Sequence, residues 1–159
     1  MEHPATELLR REHREMELLL QRFEVELGNP QGEGLLALAE TFSGIQNHLA
    51  KHFRKEEEVF YPALAPELGA TGLEITNLND DHTSVREVSS AFQGLLDRAP
   101  PGRELAISAR AELSSLGWEL WNLIHHHIAE EEDGLLAFAD RVLDCSRQSA
   151  LAEQMNARR

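Results

Sequence analysis

Two segments, His52-Phe-Arg-Lys-Glu56 and His127-Ile-Ala-Glu-Glu131, carry an imidazole and a carboxylate four residues apart. On a helix that spacing puts both side chains on one face, about one turn from each other. The pair is a ligand set for iron or manganese, and zinc accepts it too. Single histidines at His13 and His82 lie in similar apolar surroundings. Any one of the four reads equally well as an ordinary core or surface histidine; together they read as a set. Four inward imidazoles and two carboxylates are costly in an apolar core unless something neutralises them, and metal ions do. Six side-chain ligands are too many for one zinc. They suit two metals bridged by carboxylates, with a single metal or a solvent-filled polar cluster as the alternative. Glu57, Glu130 and Glu132 are candidates for holding the ligands from outside, against a plain solvated-surface reading, and Tyr61 for donating toward bound oxygen.

These residues need elements to position them. Glycine and proline punctuate the chain at Gly28–Gly32, Pro62–Gly72 and Pro100–Gly102, leaving segments 5–27, 34–61, 73–97 and 103–141. In the first, Leu9, His13, Met16, Leu20, Phe23 and Leu27 recur at intervals of three and four, the period of one buried helical face. Leu38 to Val59, Ile75 to Leu96 and Leu113 to His127 repeat it, and strand signals are nearly absent. The expectation is an all-α, antiparallel, up-down-up-down four-helix bundle, one domain over residues 1–159 with its core near 5–141. Thr71 with Glu74 suits a capping box for the third helix. Residues 145–159 read as a short helix or frayed end anchored by Leu151 and Met155.

Antiparallel packing brings the four histidines to one end. His13 is 18 residues before position 31 and His52 is 21 after it, a mismatch of about 5 Å at 1.5 Å per residue. His82 is 18 before Pro100 but His127 is 27 after it, so roughly two turns must be absorbed, by a non-helical Pro-Pro-Gly stretch or a bend near Gly117.

The 159 residues carry 28 acidic and 15 basic side chains, a formal charge of -13, which repels nucleic acid and anionic membrane surfaces. No stretch approaches the roughly 18 apolar residues of a membrane span, and MEHPATELLRREH has no signal pattern, so a cytoplasmic location is expected. Cys145 is the only cysteine, which excludes an internal disulfide. It is expected as a buried small side chain, a redox-sensing thiol being the other reading.

The stretches REHREMELLL, HLAKHFRKEEEVFYPAL, NDDHTSVREV and HHHIAEEEDGLLAF, spanning about 8–140, resemble the hemerythrin-like (HHE) cation-binding family in order and spacing. The resemblance implies His13, His52, Glu56, His82, His127 and Glu131 as ligands of two irons. It casts Glu56 and Glu131 as bridges, with an oxo, hydroxo or peroxo species between the metals; manganese and zinc stay open. The sequence departs from oxygen-carrying hemerythrins in having Arg86 where a second histidine follows His82 by four, which leaves one position open. His48 is a candidate to fill it and Glu17 a weaker one. His125 reads as outer or surface, and His126 is the alternative to His127 if the fourth helix winds differently.

The resemblance implies small diatomic or peroxide ligands. Its leading functional expectation is catalase-like disproportionation of hydrogen peroxide, as in bacterial or mycobacterial relatives. The alternatives are reversible binding or sensing of O2 or nitric oxide, and iron storage or handling. Monomer and dimer are both open.

Overall fold

The apolar stripes become helices in the computed structural model, which describes residues 2–69, 72–99 and 104–158. Helix α1 (Pro4–Leu27) starts at a proline, whose missing N–H costs nothing in a first turn, and buries Leu9, His13, Met16, Leu20, Phe23 and Leu27. Helix α2 (Glu33–Lys55) buries Leu38, Phe42, Ile45, Leu49, His52 and Phe53. It passes into a π-helical turn (Glu56–Phe60), a short α3 (Tyr61–Leu64) and a 3-10 turn (Ala65–Glu67). The second hairpin is α4 (Leu73–Asp97) and α5 (Ile107–Glu130), followed by a second π-helical turn (Glu131–Leu135) and α6 (Leu136–Val142). The tail is an ordered helix, α7 (Cys145–Asn156). Among the described residues there is no strand, and no helix is long and apolar enough to cross a membrane. Thr71 and Pro100–Gly102 lie outside the described residues, so the capping box does too.

Two apolar clusters fill the bundle. One runs from Met16, Leu49, Val85 and Ile124 up through the Phe23–Phe42–Phe92 aromatic group. The other gathers Leu9, Phe60, Tyr61, Leu78, Leu136 and Met155 at the opposite end. The four histidines fall between them, because each stripe continues apolar on both sides of its histidine.

The levels match without a bend. His13 is 14 residues before the end of α1 and His52 is 19 after the start of α2. His82 is 15 before the end of α4 and His127 is 20 after the start of α5, so both hairpins carry the same offset of five residues, about 7.5 Å. The extra length of the second hairpin lies between α4 and α5. Helix α5 runs unbroken through Gly117, whose bare Cα instead admits Leu27: a Cβ there would sit 2.3 Å from Leu27 Cδ2.

Helix α7 buries Gln148, Leu151 and Met155. The Gln148 Oε1 accepts from the backbone N–H of Ala5 and Thr6 at 3.1 and 3.2 Å. It thereby supplies the first turn of α1 with the cap its own N-cap residue, His3, does not provide. Cys145 is exposed rather than buried, because it opens α7 one residue after the Asp144 N-cap, and α7 turns its buried face from Gln148 onward. We expect Gln148→Leu to cost about 2 kcal/mol in urea unfolding, since two buried amide donors lose their acceptor.

Candidate metal centre

The His-x-x-x-Glu spacing carries each histidine and carboxylate to the same helical face, and the chain then does something a regular helix does not. Tyr61 N–H bonds to Glu56 O and Leu136 N–H to Glu131 O, five residues back. Five residues at 3.6 per turn end about 140° round the axis; the wider π turn brings the fifth nearly back over the first. Tyr61 therefore stands over Glu56, with its hydroxyl 3.3 Å from Glu56 Oε2 and from His82 Nε2, and it donates a short hydrogen bond to Glu131 Oε1.

Six residues converge as two overlapping groups. His13, His52, Glu56 and Glu131 each offer one donor atom within 4.8 Å of the others, and so do Glu56, His82 and His127. All six are 0–4 % exposed. His13 Nε2 and His52 Nε2 are 3.1 Å apart, as are His82 Nε2 and His127 Nε2. Glu56 reaches both groups, with Oε1 2.8 Å from His52 Nε2 and Oε2 3.1 Å from His82 Nε2. Glu131 Oε2 is 3.1 Å from His13 Nε2 and 3.7 Å from His127 Nε2.

These distances fit metal ions. Two nitrogens bound at right angles to one metal at about 2.1 Å lie about 3.0 Å apart, close to the observed separation in each pair. Every Nδ1 is committed outward: His13 to Glu132 at 2.7 Å, His52 to Glu12 at 2.7 Å, His82 to Glu57 at 2.7 Å and His127 to Asp81 at 3.2 Å. An imidazole whose Nδ1 carries the proton presents an Nε2 lone pair. Two such lone pairs face to face repel unless a cation lies between them. Glu56 Oε1, wholly buried, has no hydrogen-bond partner despite its closeness to His52, which a coordinated carboxylate oxygen does not need.

Cations steady three of the outer carboxylates. Arg10 spans Glu132 and Asp140, Lys55 is paired with Glu12, and Arg86 holds Glu57 at 2.8 Å. Arg86 is thus part of the support of His82 rather than an idle replacement for a ligand.

Burial opposes charge on His52, but the charge of the Glu56 carboxylate and the bond to Glu12 outweigh it and push the imidazole up to about 10. His127 is pushed up to about 9 against burial by Glu56, Glu131 and Asp81. His13 is raised against burial by Glu131 and Glu132. Burial would raise Glu56, yet His52, His127 and His82 drive it well below the usual carboxylate range. Tyr61 is raised far above an ordinary phenol by burial and by the charges of Glu56 and Glu131, so its proton stays on the oxygen.

The other residues named from the sequence lie elsewhere. His48 Nε2 donates to the Glu12 backbone O at 2.9 Å and its ring stacks near His52, outside the two groups. Glu17 pairs with His125 at 3.2 Å, and His126 with Glu130 at 3.0 Å, both on the surface. Glu130 therefore reaches none of the four buried histidines, whereas Glu57 bonds to His82 and Glu132 to His13. Sequence reasoning missed Glu12 and Asp81. Their signal is an acid immediately before the histidine in both α1 and α4, matched by the acid that follows Glu56 and Glu131.

The model of the hemerythrin HHE cation-binding domain matches residues 5–139, and the chain belongs to that family. Neither a curated protein nor a solved structure matches it. Helix α7 lies beyond the matched stretch.

Two outcomes follow. Removing one outer carboxylate, as in Glu132→Ala, should weaken metal binding about 10- to 100-fold in competition with a chromophoric chelator. The metal-free protein should also show an unusual pH profile of thermal stability. Glu12 and Glu56 are depressed, so their contribution is full above 4.5 and lost as pH falls. His13, His52 and His127 are raised, so theirs is full below 6.5 and lost as pH rises through about 9 to about 10. The melting midpoint in chelator should peak between these limits and decline toward alkaline pH. Metal reverses the alkaline trend, because it needs the imidazoles deprotonated; a metal-free midpoint that rises from pH 7 to 10 contradicts the assignment.

Proposed function

We propose that this chain is a non-haem di-iron protein that disproportionates hydrogen peroxide to water and O2. The observation that carries the reading is the asymmetry of the centre. One group has two histidines and two carboxylates; the other has His82, His127 and Glu56, and the residue four after His82 is Arg86, turned outward to Glu57. An incomplete shell favours an exchangeable ligand that reacts. When bound, the two metals supply the electron transfer that neither imidazole nor carboxylate provides.

The rest of the demand falls on the chain. Reducing one peroxide to water takes up two electrons and two protons; oxidising the second to O2 returns both. A site closed to water must hold those protons between the half-reactions. Tyr61 keeps its proton at hydrogen-bond distance from both Glu56 and Glu131, and the outer Nδ1–carboxylate pairs fix which nitrogen faces inward. Glu57 and Glu132, about a third exposed, connect His82 and His13 to solvent.

A second reading is reversible binding of O2 or nitric oxide, favoured by a cavity of about 10 Å³ beside the histidines. It is walled by Met16, Leu49, Phe53, Ile124 and Ile128 and has room for about one water-sized molecule. An iron-delivery role fits less well, because all six donor residues are enclosed.

The test is an oxygen electrode with iron-loaded protein and peroxide. Sustained evolution of one O2 per two peroxides is the expected result. A stable spectrum that reverses on degassing, without turnover, gives the second reading. Tyr61→Phe should retain metal and lower peroxide turnover about tenfold, the loss of a little over 1 kcal/mol of hydrogen bonding.

A further inference from the structure

With every donor residue of the centre at most 4 % exposed, a ligand has to cross a wall, and two cavities locate it. The larger is a cleft of about 740 Å³ between α2 and α4. Small side chains at the facing positions, Ala50, Ser89, Ser90 and Gly94, hold it open, and a Cβ built on Gly94 meets nothing within 4 Å. The smaller is the 10 Å³ cavity against His13, His52 and His127. Leu49 and Phe53 line both, which puts these two side chains between the cleft and the space beside the ligands.

We propose that the α2–α4 cleft is the entry route of the small ligand and that Phe53 is its gate. The inference rests on the proposed small-ligand function and adds the path and its selectivity. The Phe53 ring stacks on His82 with centroids 3.6 Å apart and planes 15° apart, and sets its edge toward His127 at 5.8 Å. The Arg86 guanidinium lies over the same ring at 5.4 Å, anchored by Glu57. The ring is therefore held by side-chain contacts alone, which a side-chain rotation breaks and remakes. Opening it joins the cleft to the inner cavity beside His13, His52 and His127. The cleft wall mixes apolar Leu49 and Val85 with amides and hydroxyls such as Asn47 and Ser89, its one cation is paired with Glu57, and its one anion is Asp97. A wall of that kind passes a neutral, hydrogen-bonding molecule of two heavy atoms. It gives an anion nothing, in a chain of formal charge -13.

Stopped-flow nitric oxide binding to the iron-loaded, reduced protein tests the route, with Ala50→Trp to block the cleft and Phe53→Leu to loosen the gate. Ala50 is exposed and touches no donor residue of the centre, so its variant keeps the fold and carries the test even if Phe53→Leu unfolds. A gate changes entry and exit equally. Ala50→Trp should slow association and dissociation about tenfold each with Kd unchanged, and Phe53→Leu should quicken both. Unchanged rates in Ala50→Trp overturn the route. A changed Kd with one rate unaffected makes Phe53 part of the binding site and overturns the gate. Wild-type protein that binds metal but no nitric oxide overturns the small-ligand reading itself, and the route with it.

Discussion

Four imidazole nitrogens and two carboxylates are forced into one dry layer between two apolar clusters, and the remaining architecture answers to that constraint. Polar atoms there have no water to bond, so each needs a partner supplied by the chain or by an ion. The chain supplies the outer half: each Nδ1 meets a carboxylate, and three of those carboxylates meet a cation. The inner half is left with four Nε2 atoms and a carboxylate oxygen aimed at one another. Such an arrangement is stable around positive charge and strained without it.

The solution is used twice. An acid precedes the histidine in α1 and in α4 and supports the histidine of the second helix in its own hairpin, and an acid follows the ligand carboxylate in both π turns and supports the first histidine of the other hairpin. Function enters where the repetition fails. Phe53 follows His52 where Ile128 follows His127, Tyr61 follows the first π turn where Leu136 follows the second, and Arg86 has Glu17 as its counterpart. These differences concentrate at His82: an aromatic ring on its face, a phenol at its Nε2 and a guanidinium beside its outer carboxylate. One half of the centre is thereby equipped differently from the other.

Much of this was legible in the residues. The stripe from Leu9 to Leu27 fixes which face of α1 is buried, and the four-residue spacing in His52–Glu56 and His127–Glu131 follows from helical geometry alone. The π turns were not legible, because no propensity marks them. Nothing in the pattern singles out Glu12 and Asp81, since a residue next to a buried histidine normally points some 100° away. They reach the adjacent helix's histidine instead of their own neighbour. The docking of Gln148 on Ala5 and Thr6 joins residues more than 140 apart, and no local pattern encodes it. Arg86 read only as a missing ligand because its partners Glu57 and Phe53 lie on another helix.

The central claim is that this layer is built around two metal ions, with Glu56 reaching both groups of donors. Element-resolved metal content of tag-free protein, after gel filtration in metal-free buffer, tests it most directly. The account predicts close to two irons per chain. No bound metal, or a single tightly held zinc, would contradict it and return His13, His52, His82 and His127 to a structural role.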